Sequence, residues 1–263
     1  MKFTITDATV ATVYKITRPD GTLAILKICP TPHQYARELY FLNFFADTLP
    51  VPRILDVVQP EEGIDGAILM EYLPGSLLIA QEFTGKLAYS IGQLLARIHS
   101  NRTTDSDPRI LFIQKFNESL DECKNHLPKT LIAQCRVYFD SHLDLLNPVD
   151  RPCIVHRDFR LGNIIMHDNK ISGIIDWSSA REGLVQEDFC FLYRENPPLN
   201  PDGKNSFLAG YASIRTIPDY QTMMPLLLLH KAVTTIGFTV QRGTWNTSNS
   251  FQDLRISSIN RLI

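Results

Sequence analysis

Three polar residues, Asp158, Asn163 and Asp176, lie within the stretch VHRDFRLGNIIMHDNKISGIIDWSSAREG. Asp158 and Asn163 are separated by four residues, and Asp176 follows the next hydrophobic run. Transfer of a phosphoryl group needs a carboxylate that orients an attacking hydroxyl and accepts its proton, together with oxygen ligands for a Mg²⁺ ion on the nucleotide phosphates. Asp158 suits the first role, and Asn163 with Asp176 suits the second.

Short strands are predicted on both sides of these residues. The apolar runs are Cys153–Val155, 163–166 and 170–175, and the last two are joined by the turn residues His167, Asp168 and Asn169. Asp158 then lies on the loop after the first strand, and Asp176 follows the third. Because the strands are so short, we expect the three polar side chains to converge on one point.

The order of these motifs resembles the catalytic and metal-binding segments of the aminoglycoside phosphotransferase and choline kinase families, which are relatives of the protein kinases. The family signatures HxDxxxxN and IDW are matched by His156, Asp158, Asn163, Ile175, Asp176 and Trp177. Asp188, in the context Asp-Phe-Cys, matches a family residue that braces the catalytic loop. The resemblance implies ATP and Mg²⁺ as cofactors, with Asp158 as the catalytic residue and Asn163 and Asp176 as metal ligands.

The resemblance also implies a phosphate site in the first part of the chain. Lys27, in AILKIC, matches the lysine that contacts the nucleotide phosphates, and Glu38, in YARELYFL, matches the acid that pairs with it. The spacing of 11 residues between them is short for the family. Arg160 has two open interpretations: it reaches the γ-phosphate, or it covers the catalytic loop with its guanidinium group.

The segment ILMEYLPG, residues 68–75, resembles the hinge at which backbone groups of these families meet the adenine edge. Leu69 and Met70 would line the adenine pocket, and Tyr72 would belong to the same nucleotide site. The loop expected to cover the phosphates, near 7–12, contains no glycine. Its backbone N–H groups and the hydroxyls of Thr9 and Thr12 are the remaining candidates for phosphate contacts.

The elements around these motifs predict an α+β fold in two lobes. Residues 1–74 are predicted as an N-lobe with a hairpin turned by Pro-Asp-Gly, a helix over 34–47 and strands at 54–58 and 67–72. Residues 75–263 are predicted as a mainly helical C-lobe, beginning with an amphipathic helix that ends near 98. The resemblance implies the same fold, a small antiparallel sheet with one helix followed by a larger helical lobe.

Composition and charge exclude several other classes of protein. The chain has 263 residues and a net charge of −2, which carries no signal for nucleic acid or for an anionic membrane surface. The five cysteines are scattered and form no CxxC pair, so a disulfide framework or zinc site is not expected. The N-terminus lacks a signal-peptide core and the apolar run 223–240 is interrupted by polar residues, so we expect a cytoplasmic protein with a buried helix there.

The function expected from the resemblance is transfer of the ATP γ-phosphate to a hydroxyl group of a small molecule, and no protein partner is implied. A nucleotide-binding pseudokinase that regulates a partner is the alternative, supported by the missing glycines and the short spacing between Lys27 and Glu38. A protein kinase is disfavoured because Trp177 follows Asp176 where protein kinases have Asp-Phe-Gly, and no Ala-Pro-Glu segment follows.

The acceptor stays open between aminoglycosides, choline-like amines, sugars, amino alcohols and macrolides. From Arg181 onward the chain has eight Lys or Arg against seven Asp or Glu, so no acidic excess for a polycation is visible. A choline-type ammonium would need an aromatic cage. The aromatic candidates are Trp177, Tyr193, Tyr211, Tyr220, Phe238 and Trp245.

Overall fold

The first part of the chain contains an antiparallel sheet of five strands. The computed structural model describes residues 2–6, 11–101, 107–146, 152–245 and 249–263. The spatial order of the strands is β1-β2-β3-β5-β4. Their bounds are β1 Lys2–Thr6, β2 Thr12–Thr17, β3 Leu23–Cys29, β4 Ile54–Val58 and β5 Gly66–Glu71. The hairpin between β2 and β3 is confirmed, with Gly21 at a φ of 84° in its turn.

Two smaller sheets follow, a three-stranded sheet in the order β6-β8-β9 and a pair formed by β10 and β7. The strands are β6 Ser76–Leu77, β7 Cys153–Val155, β8 Ile164–His167, β9 Lys170–Ile174 and β10 Arg181–Gly183. The predicted turn between β8 and β9 is present, and Asp168 and Asn169 both adopt positive φ there.

Eight α-helices lie within the described residues. They are α1 Pro32–Phe45, α2 Gly85–His99, α3 Pro108–Glu122, α4 Lys129–Ser141, α5 Phe191–Arg194, α6 Pro201–Ala212, α7 Met224–Gln241 and α8 Asn249–Asn260. The predicted α+β class is therefore confirmed. The run predicted as a buried helix corresponds to α7, and no helix in the described ranges is long and apolar enough to cross a membrane.

Helix α1 begins two residues earlier than the apolar spacing predicts. The side chain of Thr31 accepts a hydrogen bond from the backbone N–H of Gln34, and Pro32 occupies the first turn, where a missing N–H costs nothing. Phe41 and Phe45 of this helix pack against the fully buried Trp177, with ring centroids 6.2 and 4.8 Å apart. The helix is thereby fixed against the residue that follows Asp176.

The chain divides into two compact units. The first comprises Met1–Ile98, His156–Arg181 and Phe191–Thr216, and the second comprises His99–Val155, Glu182–Cys190 and Ile217–Ile263. All of the predicted site residues belong to the first unit. The functional division at residue 74, into a nucleotide-binding lobe and an acceptor-binding lobe, stays a prediction.

The core of the second unit is aromatic. Phe116 and Phe139 stack at 3.7 Å between centroids, and Phe112 stacks on His230 at 3.8 Å. The His230 imidazole also makes a 3.0 Å hydrogen bond to the carbonyl of Phe112. This packing joins α3, α4 and α7.

Candidate active site

Lys27 is the centre of an ion-pair cluster in which Lys27 and Glu38 are buried and Asp176 is partly exposed. Its Nζ lies 2.8 Å from Oε2 of Glu38 and 2.8 Å from Oδ1 of Asp176. Lys27 is 7% exposed and Glu38 is 2% exposed. The Lys27–Glu38 pair implied by the resemblance is therefore present despite the short spacing.

The local fold explains why these three side chains meet. Lys27 is on strand β3, Glu38 is on the buried face of α1, and Asp176 lies two residues after the end of β9. Asp176 adopts a left-handed conformation with a φ of 67°, which an Asp side chain tolerates better than most residues. The turn directs its carboxylate to Lys27 and to the hydroxyl of Ser178, which donates a 3.0 Å hydrogen bond.

Lys27 and Asp176 both keep their charges in this cluster. Burial opposes the charged form of Lys27, but the carboxylates of Glu38 and Asp176 outweigh burial and raise the pKa of the lysine. Burial also opposes ionisation of Asp176, yet the charge and hydrogen bond of Lys27 hold the pKa of that carboxyl below its usual range. Lys27 is thus a fixed cation and Asp176 a fixed anion at neutral pH.

The loop 158–163, which the resemblance predicts as the catalytic loop, brings Asp158 and Asn163 together. The Nδ2 group of Asn163 donates to the backbone carbonyl of Asp158 at 2.8 Å and to its Oδ2 at 3.0 Å. The backbone N–H of Ile175 donates to the Asn163 carbonyl at 3.0 Å, so the loop is tied to the strand that leads to Asp176. The two motifs predicted to converge are joined by this hydrogen bond.

His156 contacts the segment on both sides of Asp176. It is fully buried, its Nε2 lies 3.1 Å from the carbonyl oxygen of Ile175, and its ring lies 4.6 Å from that of Trp177. These contacts hold the imidazole in the interior, against the segment that leads to Asp176.

Arg160 faces the predicted catalytic carboxylate. Its Nε lies 3.4 Å from Oδ2 of Asp158, and its side chain is 52% exposed. At this exposure the ion pair is weak, so the guanidinium group can leave the carboxylate at little cost. Both interpretations of Arg160 therefore stay open.

One cavity of about 520 Å³ collects most of the predicted residues. The predicted site residues in its lining are Lys27, Glu38, Met70, Tyr72, Asp158, Arg160, Asn163 and Asp176. Apolar walls come from the strands, including Val13, Ile25 and Ile165. A pocket that combines apolar walls with convergent charges suits a ligand that has a flat apolar part and an anionic part.

Leu69, which the resemblance places in the adenine pocket, does not line this cavity. Met70 and Tyr72 border the cavity, whereas Leu69 does not. Side chains alternate between the two faces of a strand, so on β5 Leu69 points away from the face that presents Met70.

Lys15 is a cavity residue that the sequence interpretation missed. Its Nζ lies 4.2 Å from the centroid of the Tyr72 ring, and both residues line the cavity. Strand alternation is the signal that could have found it, since Val13 and Lys15 share a face of β2 and Lys15 pairs with Ile25. Cys29 also lines the cavity, and burial raises the pKa of its thiol to about 11, so it stays protonated.

Two other predicted features are Asp188 and the loop expected to cover the phosphates. Asp188 is fully buried in the second unit, where its Oδ2 lies 3.1 Å from Nε2 of His99. Its predicted contact with the catalytic loop stays a prediction. Of the predicted phosphate-covering loop, residues 7–10, including Thr9, lie outside the described residues.

The donor set fits a Mg²⁺ ion. In the described part of the chain, no group of three or more His, Cys, Asp or Glu residues could hold a metal by itself. Mg²⁺ needs fewer protein ligands, because it keeps several waters and binds phosphate oxygens. Asn163 directs its amide nitrogen to Asp158, which leaves Oδ1 for a cation, and Asp176 uses Oδ1 for Lys27 and Ser178, which leaves Oδ2.

Comparison with known structures shows the fold. An amicoumacin kinase in complex with AMP-PNP, Ca²⁺ and Ami superposes with a TM-score of 0.76 at 18% identity, covering 99% of this chain and 87% of that one. The aminoglycoside phosphotransferase APH(4)-Ia superposes with a TM-score of 0.74 at 15% identity, covering 99% and 94% of the two chains. A microcompartment-associated aminopropanol kinase gives 0.72 at 15% identity, covering 99% and 90%.

Comparison of sequences gives a relative and a family. Acyl-CoA dehydrogenase family member 10 of Mus musculus is 26% identical in an alignment of 188 residues, and the match covers 63% of this chain. The chain spans only 17% of the length of that protein. Residues 5–226 match the model of the phosphotransferase enzyme family. Since this match covers most of the chain, the protein belongs to the phosphotransferase enzyme family.

Proposed function

We propose that this protein transfers the γ-phosphoryl group of ATP to a hydroxyl group of a small molecule. The family and the fold support small-molecule phosphotransferase activity in general. The observation that carries the proposal for this chain is the convergence of Lys27, Asp158, Asn163 and Asp176 on one cavity. The same cavity has the hinge residues Met70 and Tyr72 at its apolar wall.

Each group has a distinct part in the proposed reaction. Asp158 orients the acceptor hydroxyl and takes its proton as the new O–P bond forms and the bond from the γ-phosphorus to the leaving oxygen breaks, releasing ADP. Lys27 holds the phosphates, and Asn163 and Asp176 provide oxygen ligands for Mg²⁺. A bound Mg²⁺ ion would neutralise the charge that develops on the phosphate oxygens.

The environment of the two Asp side chains supports this assignment. Asp176 is held by the buried Lys27, whereas Asp158 contacts the side chains of Asn163 and the exposed Arg160. The first carboxylate is therefore fixed in place as an anion, and the second faces the cavity where an acceptor would enter. A pseudokinase has no need for a carboxylate that faces the acceptor side of the cavity, as Asp158 does, so we favour the enzyme.

The structure adds two observations on the acceptor. Of the six aromatic residues considered for an ammonium cage, four are buried in the core: Trp177, Tyr211, Tyr220 and Trp245. Tyr193 and Phe238 are exposed, but each ring already has a cation over it, Lys204 at 5.3 Å and Arg242 at 5.5 Å. A preformed choline cage is therefore not supported.

Three of the seven acidic residues after Arg181 are already engaged with other groups of the protein. Glu187 and Glu195 each accept a backbone N–H, from Leu184 at 3.3 Å and from Leu161 at 2.9 Å. Asp188 is engaged with His99. A ligand with several ammonium groups needs carboxylates that are free to replace its hydration.

We expect that ATP consumption will be stimulated by a neutral or singly charged alcohol and not by a classical aminoglycoside. The measurement is ADP release across a panel of sugars, amino alcohols, choline analogues, macrolides and aminoglycosides, with the phosphorylated product identified by mass spectrometry. Saturable phosphorylation of kanamycin or gentamicin at micromolar concentration would contradict the acceptor prediction. Mg²⁺-dependent nucleotide binding with no product from any acceptor would favour the pseudokinase.

Replacing Asp158 by Asn should remove the proton acceptor and keep the size of the side chain. We expect turnover to fall by about a hundredfold or more, while the affinity for Mg-ATP changes little, because a positioned base contributes roughly 10² to 10⁴. Asp168→Asn, in the exposed turn between β8 and β9, is the matched control. Turnover of Asp158→Asn close to that of the control would remove Asp158 from the catalytic role.

Replacing Asp176 by Ala should abolish the dependence of nucleotide binding on Mg²⁺, because a methyl group cannot ligate the cation. Asn163→Ala should show a smaller effect, and the exposed Asp140→Ala on α4 serves as the control. Isothermal titration of AMP-PNP with and without Mg²⁺ measures the difference. A metal dependence that survives in Asp176→Ala would show that another residue is the ligand.

A further inference from the structure

The catalytic loop is held by a residue that lies 34 positions away in the sequence. The backbone N–H of Leu161 donates to Oε1 of Glu195 at 2.9 Å. Leu161 begins the 3-10 turn Leu161–Asn163, and the residue before it, Arg160, makes no capping hydrogen bond through its side chain. The first N–H of a helical turn has no partner within the turn, so Glu195 supplies the acceptor from outside.

We propose that Glu195 is a positioning residue for phosphoryl transfer, which holds the Leu161 amide and thereby sets the distance between Asp158 and Asn163. This inference rests on the proposed function for its catalytic consequence. The structural part of the inference, that Glu195 orders the loop, rests only on the hydrogen bond between Leu161 and Glu195.

The position of Leu161 explains how the effect reaches the reacting groups. The turn is closed by a 3.0 Å hydrogen bond from the Asn163 N–H to the Arg160 carbonyl. The Asn163 side chain then donates back to the carbonyl and the carboxylate of Asp158. The Leu161 amide lies between Asp158 and Asn163 in the loop, so a shift of this amide moves Asn163 relative to Asp158.

Glu195 is itself on a supported segment. Its backbone N–H donates to the carbonyl of Phe191 at 3.3 Å, at the end of α5. The buried ring of Phe191 packs edge to face against Phe159, with centroids 5.3 Å apart. Since Phe159 follows Asp158 directly, the segment 191–195 contacts the loop on both sides of Arg160.

The Glu195 carboxylate has one competing role, direct binding of an acceptor. A conservative variant separates the two roles, because Gln keeps an oxygen that can accept the Leu161 N–H but loses the negative charge. Ala removes both. The neighbouring Arg194→Ala, an exposed residue at the end of α5, is the control for general damage to this segment.

Hydrogen exchange of the whole protein tests the structural content without any acceptor. In Glu195→Ala we expect the amides of 159–165 to exchange about tenfold faster, since a hydrogen bond to a charged group is lost. In Glu195→Gln and Arg194→Ala, exchange should stay within about twofold of the unsubstituted protein. Unchanged exchange in Glu195→Ala, or equal acceleration in Glu195→Gln, would overturn the inference.

Kinetics then test the catalytic consequence. We expect kcat to fall about tenfold in Glu195→Ala and to recover in Glu195→Gln, while the affinity for Mg-AMP-PNP stays within about twofold in both. An unchanged kcat in Glu195→Ala would overturn the positioning role. A raised acceptor KM in both variants, with normal exchange, would assign Glu195 to acceptor binding. If no acceptor is phosphorylated, the proposed function fails, and the exchange result still decides whether Glu195 orders the loop.

Discussion

A buried lysine held between two carboxylates is the interaction on which the site depends. An ammonium group that is removed from water without partners costs several kcal/mol and tends to lose its proton. Lys27 avoids this cost because Glu38 and Asp176 both lie 2.8 Å from its Nζ. Removing one partner of the buried Lys27–Glu38 pair would typically cost about 3 to 5 kcal/mol, so strand β3 and helix α1 are held in one arrangement. The Asp176 side chain is 39% exposed, so its ion pair with Lys27 is screened by solvent and contributes less.

The position of the loop that carries Asp158 depends on this ion-pair cluster. Asp176 is fixed by Lys27, and Trp177 beside it packs against α1. The strand before Asp176 is tied through Ile175 to the carbonyl of Asn163 and to the ring of His156. The loop that carries Asp158 is thus positioned from the ion-pair cluster outward, through hydrogen bonds and aromatic packing.

Motif order and spacing predicted much of this site, because its parts are local. The HxDxxxxN and IDW motifs place Asp158, Asn163 and Asp176 within short strands and loops, where little freedom remains. The pairing of Lys27 with Glu38 came from the family resemblance, although α1 starts early at the cap formed by Thr31. These predictions succeeded where neighbouring residues determine the geometry.

The features that were missed depend on register or on distant contacts. The resemblance to the family hinge placed Leu69 beside the nucleotide, but strand alternation decides which face Leu69 occupies, and it does not line the cavity. In the sequence, Lys15 cannot be distinguished from an ordinary strand lysine. Its place at the cavity follows only from the pairing of β2 with β3, which sets Lys15 opposite Ile25. Strands β6 and β10 and helix α5 are too short for a periodic signal. The contact between Glu195 and Leu161 has no sequence pattern at all.

A double-mutant cycle on Lys27 and Glu38 tests the central claim most directly, with the affinity for Mg-AMP-PNP measured by isothermal titration. Lys27→Ala and Glu38→Ala should each weaken binding, and the double variant should lose less than the sum of the two, because contacting residues couple by about 0.5 to 3 kcal/mol. Strictly additive losses, or a Glu38→Ala variant that binds like the unsubstituted protein, would contradict the account.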